Sequence, residues 1–293
     1  MPGIALVTDR QHGLTSDDRL LLPVLEEQGF DASVVQWDSE GTDWQRFDLC
    51  VLRSCWDYHL RIDEFLHWLS RLEGRGVRTA NPIGTVRWNY HKRYLKELEQ
   101  RGVTILPTLL VERYDTMEAR EALRLTGWDE VVIKPCVSAS GHRTHRLNLA
   151  GAAGFQPEFE SMVRDSGALV QPFMREIESE GEWSFVFFGR TFSHAVVKKP
   201  REGEFRTQES FGGTFVRAVP AATQILQAEK VLSLVPGDLL YARVDMLEAG
   251  GAMLLVELEL IEPFLFFGGS PGSTRNFVHA LGGFLHGNKQ DHN

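Results

Sequence analysis

The stretch of sequence that decides the fold is YARVDMLEAGGAMLLVELELIEP, residues 241–263. Apolar and charged residues alternate on both sides of a glycine pair, which is the pattern of two half-buried strands joined by a hairpin turn. Side chains along a strand point alternately to its two faces. A three-residue loop at 249–251 therefore places one cation and three carboxylates on a single face of the hairpin: Arg243, Asp245, Glu257 and Glu259.

This register pairs Arg243 with Glu257, and any other register is expected to divide the carboxylates between the two faces. Carboxylates on one face repel one another unless a cation lies between them, and Mg2+ prefers oxygen ligands of this kind. The alternative is a hairpin whose charged face is simply in water, because alternation is also the ordinary pattern of a one-sided antiparallel sheet. The hairpin by itself leaves both interpretations open.

Composition and charge narrow the class of protein. The 293 residues are 43% hydrophobic and 24% charged, as is usual for a soluble globular protein. The net charge of -9 argues against a nucleic-acid-binding surface and against binding to an anionic membrane, since both select for clustered Lys and Arg. Cys50, Cys55 and Cys136 form no CxxC pair, which favours a reducing compartment, and no basic region precedes the first apolar run as in a signal peptide. We therefore expect a cytoplasmic enzyme or binding protein.

The first part of the chain alternates strand and helix patterns, at 3–8, 16–29, 30–36, 47–53, 62–72 and 77–80. This alternation predicts a small open α/β sheet, in which ligands lie beyond the carboxyl ends of the strands. The segment 53–58 follows such a strand, so Arg53, Asp57 and Tyr58 are candidates for substrate contact. The alternative is a capping and packing role, with Trp56 and Tyr58 in the core and Arg53 paired with Asp57.

The second part predicts a domain of another class. A helical pattern at 84–101 carries Lys92, and Lys134 ends an apolar strand and precedes a loop of small residues at 136–144. A lysine beside backbone N–H groups suits a phosphate, although an ordinary surface hairpin fits this segment as well. The remaining patterns are strands at 103–111, 168–174 and within 181–200, helices at 116–125, 155–164, 220–234 and 271–285, a glycine-rich loop at 203–215, and a polar end at 287–293 that we expect to be frayed.

The order of these features resembles the ATP-grasp superfamily and, within it, the glutathione synthetase-like branch. The resemblance rests on Lys92, on Ile133-Lys134-Pro135, on segments 170–174 and 181–184, and on Asp245, Glu257 and Glu259. It implies an ATP-grasp fold at 84–293, with a lid subdomain at about 115–180 and a catalytic subdomain at 181–293, after an N-terminal α/β domain at 1–83. Segments 51–58 and 86–95 are most similar to the D-cycloserine synthetase family.

The resemblance also implies a role for each site residue. Lys92 and Lys134 hold the phosphates of ATP as point charges, and Glu182 accepts hydrogen bonds from the ribose. Asp245, Glu257 and Glu259 bind two Mg2+ ions, and Arg243 stabilises the γ-phosphate or an acyl phosphate. The adenine edge is expected to meet Gln171, Pro172, Phe173 and Met174.

Substrate residues follow from the same resemblance. Arg206 and the pair Gly212-Gly213 are expected to hold and shield the substrate carboxylate, and Lys198 is expected to add a cation. Arg53, Asp57, Tyr58 and Arg206 are expected near a small amino-acid-like substrate. Two features depart from the superfamily pattern: the loop 136–144 contains only Gly141, and Glu259 stands where Asn is common.

The reaction implied by the resemblance is carboxylate activation by ATP, through an acyl phosphate that a nitrogen nucleophile then attacks. For the D-cycloserine synthetase family this means cyclisation of O-ureido-D-serine to D-cycloserine, with release of ADP, phosphate, carbon dioxide and ammonia. An intermolecular ligase that joins two amino acids is the alternative, and a nucleotide-binding protein without catalysis is a second one. A homo-oligomer is possible in each case.

Overall fold

The computed structural model describes residues 1–287 and contains three sheets within that range. The first sheet has four parallel strands in the order β2-β1-β3-β4. Its central strands are almost completely buried, because a parallel sheet is covered on both faces. The strands are β1 (Gly3–Thr8), β2 (Asp31–Gln36), β3 (Leu49–Ser54) and β4 (Thr79–Ala80), and the helices are α1 (Leu21–Glu27) and α2 (Ile62–Gly74). This agrees with the predicted open α/β sheet.

The helical pattern at 84–101 forms two helices, and the prediction of one continuous helix is wrong. The helices are α3 (Ile83–Asn89) and α4 (Tyr94–Gln100). Between them the backbone N–H of Lys92 donates to the carbonyl of Cys136 at 2.8 Å, and the His91 ring bonds to the carbonyl of Ser166 at 3.0 Å. These tertiary bonds replace helical ones, so the helix ends before Lys92.

The second sheet is antiparallel, with the order β5-β8-β6-β7. The predicted strand at 103–111 is only partly realised, because segment 104–106 leaves this sheet. The N–H of Leu106 donates to the carbonyl of Leu255 at 2.9 Å, in the third sheet. The elements are β5 (Leu109–Val111), α5 (Ala119–Thr126), β6 (Glu130–Pro135), β7 (His145–Asn148), α6 (Ala152–Asp165), β8 (Ala168–Pro172) and α7 (Glu176–Ser179).

The third sheet is antiparallel, with the order β11-β10-β9-β12-β13. Its elements are β9 (Glu182–Phe188), β10 (Thr191–Lys199), β11 (Thr214–Ala218), α8 (Ala222–Ser233), β12 (Tyr241–Ala249), β13 (Ala252–Glu259) and α9 (Ser273–Gly287). Phe277 and Leu281 of α9 pack with Leu25 of α1 and Phe188 of β9 in one buried cluster. This cluster joins the first sheet to the third.

The hairpin formed by β12 and β13 has a different register from the predicted one. Ala249 pairs with Ala252, so the loop is the two residues Gly250 and Gly251, both at positive φ as a tight hairpin turn requires. A β-bulge then shifts the pairing: Met246 faces Leu255, whereas Asp245 faces Glu257. Beyond the bulge Arg243 faces Glu259, so the four charged residues share one face although the loop has two residues.

Within residues 1–287 no helix is long and apolar enough to cross a membrane. A frayed polar end was expected at residues 287–293. Gly287 is the last residue of α9, and residues 288–293 lie outside the described range.

Candidate active site

The three sheets contribute to one cavity of about 490 Å³. The third sheet supplies most of its charged wall, the second sheet an apolar wall, and the first sheet one end. Most of the sequence-predicted site residues line this cavity: Tyr58, Lys92, Lys134, Gln171, Pro172, Phe173, Met174, Glu182, Lys198, Arg206, Arg243, Asp245, Glu257 and Glu259. Residues that are far apart in the sequence are therefore brought together.

Asp245 is at the centre of the charged wall and is only 2% exposed. Its carboxylate accepts hydrogen bonds from Ser184 Oγ at 2.6 Å, from Lys198 Nζ at 3.0 Å and from Arg243 Nη2 at 2.9 Å. Burial would raise the pKa of Asp245, but Arg243 and Lys198 outweigh it and hold the pKa below its ordinary value. Asp245 is therefore ionised at neutral pH.

Glu257 lies between two lysines from different elements. Lys92 Nζ is 3.1 Å from its Oε1, and Lys134 Nζ is 3.9 Å from its Oε2. Lys92 also donates to the carbonyl of Ser138 at 2.5 Å, which ties it to the small-residue loop. Despite burial, the two lysines keep the pKa of Glu257 below its ordinary value.

The charged wall thus pairs four cations with four carboxylates. Lys198 also bridges to Glu182 at 2.5 Å, and Arg243 also contacts Glu259. Burial raises the pKa of Glu259 to about 7 and raises the pKa of Glu182 as well. Among residues 1–287 no three carboxylates lie close enough together to bind a metal ion, because each carboxylate of the charged wall is paired with a basic side chain.

This arrangement fits the groups that the superfamily pattern implies. Phosphates carry negative charge and would draw Lys92 and Lys134, whereas Mg2+ ions would draw Glu257, which these lysines now neutralise, together with Asp245 and Glu259. Moving both at once keeps every buried charge paired, so the exchange avoids an isolated charge in a low-dielectric site. Asp245, Glu257 and Glu259 provide only oxygen donors, as Mg2+ prefers.

The side chains of the apolar wall could pack against a flat ring. Phe173, Met174, Leu106, Ile177 and Leu258 line it. Gln171 also lines the cavity, and its side-chain amide donates to Thr108 Oγ1 at 2.9 Å. This hydrogen bond fixes the end of β8 against the segment before β5. An adenine ring between these side chains would be covered on both faces.

Two loops approach each other over the cavity. The loop 203–215 and the small-residue loop 136–144 meet at Gly141, where an added Cβ would lie 3.0 Å from the Phe211 ring. Gly141 also has a φ of +70°, which other residues rarely adopt. Gly141 alone therefore permits the close contact between the two loops, although the superfamily pattern has several glycines in this loop.

The loop 203–215 contains three expected substrate residues, Arg206, Gly212 and Gly213, and only Arg206 is at the cavity. Arg206 lines the cavity, donates to Glu204 Oε2 at 2.7 Å and lies 3.5 Å above the Phe211 ring. Gly212 and Gly213 do not line the cavity. An added Cβ at Gly213 would lie 2.1 Å from the Thr207 carbonyl oxygen, so this glycine permits a close backbone approach instead.

Arg53 and Asp57 are also placed away from the cavity, which corrects their expected position at the substrate. Arg53 is 1% exposed and donates to Asp18 Oδ1 at 2.9 Å and to the carbonyl of Pro263 at 2.7 Å, so it does not pair with Asp57. Asp57 accepts from Trp37 Nε1 at 2.7 Å and pairs with Arg61. Both side chains are used in joining structural elements.

The end of the cavity nearest the first sheet is lined by residues that the sequence analysis did not single out. They include His12, Trp56 and Glu262. Glu262 is 7% exposed, and its side chain has no hydrogen bond or ion pair to another of residues 1–287. Burial and the nearby Glu259 carboxylate raise the pKa of Glu262 well above its ordinary value. The sequence could have indicated Glu262 only by its place near the end of segment 241–263. It was not selected because the alternation of apolar and charged residues ends before it.

Comparison with known proteins places this chain in a family. A model of the N-terminal domain of D-cycloserine synthetase DcsG matches residues 4–81. The cycloserine biosynthesis protein DcsG of Streptomyces lavendulae is 31% identical over 301 residues, which cover 95% of this chain and 97% of that protein. The crystal structure of D-cycloserine synthetase DcsG superposes with a TM-score of 0.86 at 27% identity, covering 97% of this chain and 99% of that one.

Other ATP-grasp enzymes share the fold at lower identity. D-alanine–D-alanine ligase from Bacillus anthracis, in a complex with ATP, superposes with a TM-score of 0.69 at 14% identity and covers 97% of each chain. The predicted fold class is thereby confirmed, as is the assignment to ATP-dependent ligases. The chain belongs to the DcsG family of ATP-grasp ligases.

Proposed function

We propose that this protein cyclises O-ureido-D-serine to D-cycloserine in an ATP-dependent reaction. The observation that supports it most is the cavity itself, in which four cations and four carboxylates face one another beside an apolar slot. The identity of 31% with a cycloserine biosynthesis protein over 95% of the chain supports the choice of substrate.

The reaction has two stages with separate requirements. ATP with two Mg2+ ions would supply a phosphoryl group to one oxygen of the substrate carboxylate, giving an acyl phosphate from which phosphate can leave. The ureido nitrogen next to oxygen then attacks the activated carbonyl carbon, a C–N bond forms, and phosphate leaves with the electron pair of the broken C–O bond. Hydrolysis of the remaining carbamoyl group releases carbon dioxide and ammonia.

The residues of this chain bind and orient the reactants. Lys92 and Lys134 hold the phosphates, while Asp245, Glu257 and Glu259 hold the metal ions, so each group exchanges its present partner for a ligand. Lys198 stays beside Glu182 and Asp245 and keeps their charges balanced. Arg243, fixed by Asp245, stabilises negative charge on the activated carboxylate.

The substrate's amino and carboxyl groups require opposite charges. Glu262, a buried carboxyl group at the cavity end, suits the ammonium group of an amino acid better than Asp57, whose oxygens are already occupied. The charge of a bound ammonium group would offset the burial that raises the pKa of Glu262 and would favour its ionised form. Arg206 lies in the loop above the cavity and suits the carboxylate. Closure of the loops 136–144 and 203–215 over the site excludes water, which would hydrolyse the activated carboxylate.

The test is to incubate the purified protein with Mg2+, ATP and O-ureido-D-serine and to quantify ADP and D-cycloserine together. We expect equal amounts of both, and neither without the substrate. ADP release with pairs of amino acids but not with O-ureido-D-serine would favour the intermolecular ligase instead. No ADP release with either would contradict ligase activity of this site on such substrates.

A further inference from the structure

His12 presents an oriented imidazole to the cavity. It follows β1, lines the cavity beside Trp56, and its side chain is 34% exposed. The ring lies edge-on to Trp56, with the centroids 5.3 Å apart. His12 therefore belongs to the wall nearest the first sheet, in the same cavity as the charged wall.

Asp9 fixes the orientation of this imidazole. Its side chain is completely buried, and Oδ2 lies 2.6 Å from His12 Nδ1. The backbone N–H groups of His12 and Asp57 donate to the two oxygens of the same carboxylate at 2.6 and 3.2 Å. A carboxylate held by three donors cannot rotate freely, so the imidazole it binds is held as well.

The contact also sets the tautomer. An ionised carboxylate only accepts hydrogen bonds, so the neutral ring carries its proton on Nδ1 and has its lone pair on Nε2. Nε2 has no hydrogen-bond partner among residues 1–287. A buried carboxylate that orients an imidazole whose second nitrogen is unpaired at a ligand cavity is the arrangement of a general base.

We propose that His12 is the catalytic base of ring closure and that Asp9 positions it. The inference rests on the proposed function and adds the group that removes the proton. As the ureido nitrogen attacks the activated carbonyl carbon, its N–H bond breaks and the proton passes to His12 Nε2. Phosphate departs with its electron pair, so charge and atoms balance without any further reactant.

The role is confined to the second stage of the reaction, which makes it separable by experiment. Hydroxylamine is a strong nucleophile that attacks an activated carboxylate without a base and forms a stable hydroxamate. We therefore expect His12→Ala to lower the rate of D-cycloserine formation by about 100-fold or more, the usual contribution of a general base. In the presence of hydroxylamine the same variant should form ADP and hydroxamate within about two-fold of the wild type.

Asp9→Asn provides a second variant that keeps the shape of the side chain. The amide can donate to Nδ1 and so move the ring proton to Nε2, which removes the base without removing the imidazole. We expect slower ring closure and unchanged hydroxamate formation. His67→Ala, at an exposed histidine of α2, is the matched control and should behave as the wild type in both assays.

Three results would overturn the inference. Ring closure by His12→Ala within a few-fold of the wild type rules out the base. A parallel loss of cycloserine and hydroxamate assigns His12 to substrate binding or to the fold. If the wild type forms hydroxamate and ADP with O-ureido-D-serine but no cycloserine, the site activates the carboxylate without cyclising it, and both the cyclisation and this base are wrong. Absence of all three products contradicts the proposed function itself.

Discussion

The charged face of the β12–β13 hairpin and segment 53–58 after β3 make an instructive contrast. Both follow or interrupt apolar strand patterns with charged residues, and both were expected at the ligand. The four residues of this charged face, Arg243, Asp245, Glu257 and Glu259, all line the cavity, whereas Arg53 and Asp57 are bound to Asp18, to the carbonyl of Pro263, to Trp37 and to Arg61.

The difference lies in what fixes the direction of a side chain. Within a strand the backbone pleat assigns each side chain to a face, and the partner strand holds it there. After a strand ends, the chain turns, and the direction depends on contacts with distant elements. Alternation in a strand thus predicts a shared face, while a charged residue at a strand end predicts only proximity to an edge.

The largest effect is expected from removing a charge on the hairpin. Glu257→Gln should lower turnover by about 1,000-fold or more, because the amide cannot neutralise a metal ion or balance the two lysines, although its volume is unchanged. Steady-state ADP release measures the effect, and circular dichroism checks the fold. Glu248→Gln is the control on the same hairpin, since Glu248 is exposed and outside the cavity. Full activity of Glu257→Gln would refute its role at the metal.

A change in the contrasting segment should affect stability instead. Arg53→Met leaves Asp18 buried without its partner and should reduce the free energy of unfolding by about 3 kcal/mol or more. Denaturant unfolding measures this, and the double variant with Asp18→Leu should recover part of the loss. The KM for O-ureido-D-serine should stay unchanged in the folded fraction. A raised KM with unaltered stability would return Arg53 to the substrate site.

The hairpin should also confer a pH dependence on the ligand-free protein. The pKa of Glu259 is raised from 4.5 to about 7 in the folded state, so the folded protein keeps a proton that the unfolded chain loses as pH rises. Stability should therefore fall between about pH 4.5 and pH 7, by at most roughly 3 kcal/mol from this group. Glu259→Gln should reduce that slope. The measurement is the Tm of the wild type and of Glu259→Gln at several pH values. The same dependence of Tm on pH in both proteins would argue that Glu259 keeps its ordinary pKa.

The smallest effect concerns the residue that ends the hairpin stretch. Glu262→Gln should raise the KM for O-ureido-D-serine by about 10-fold, since a charged hydrogen bond to the ammonium group becomes a neutral one. The KM for ATP should not change, because the proposed position of the nucleotide is on the apolar wall. Asp57→Asn is the matched comparison and should leave both constants near the wild-type values. The reverse result would restore the original assignment of the ammonium site to Asp57.

The site could be predicted from the sequence wherever a residue lies within a strand or directly at its end in the charged wall. Lys134, Glu182, Lys198, Asp245, Glu257 and Glu259 all belong to β6, β9, β10, β12 or β13 and line the cavity. His12 lies in a segment without a repeating pattern, so nothing in the local sequence distinguishes it from a surface residue. Trp56 lies within the candidate segment 53–58, but the sequence analysis did not single it out. Gly212 and Gly213 were expected to hold and shield the substrate carboxylate, but Gly213 instead permits a close backbone approach to Thr207.

By itself the sequence determined the strand pattern, the order of lysines and carboxylates, and the resemblance to ATP-grasp enzymes, because these depend on spacing along the chain. Tertiary structure alone decided the two-residue turn with its compensating bulge, since the bulge lets cross-strand packing restore the shared face. It also decided the break of the helix at Lys92 and the use of Arg53 in a buried pair. At Lys92 and at Arg53, a hydrogen bond to a residue distant in sequence outweighed the local preference.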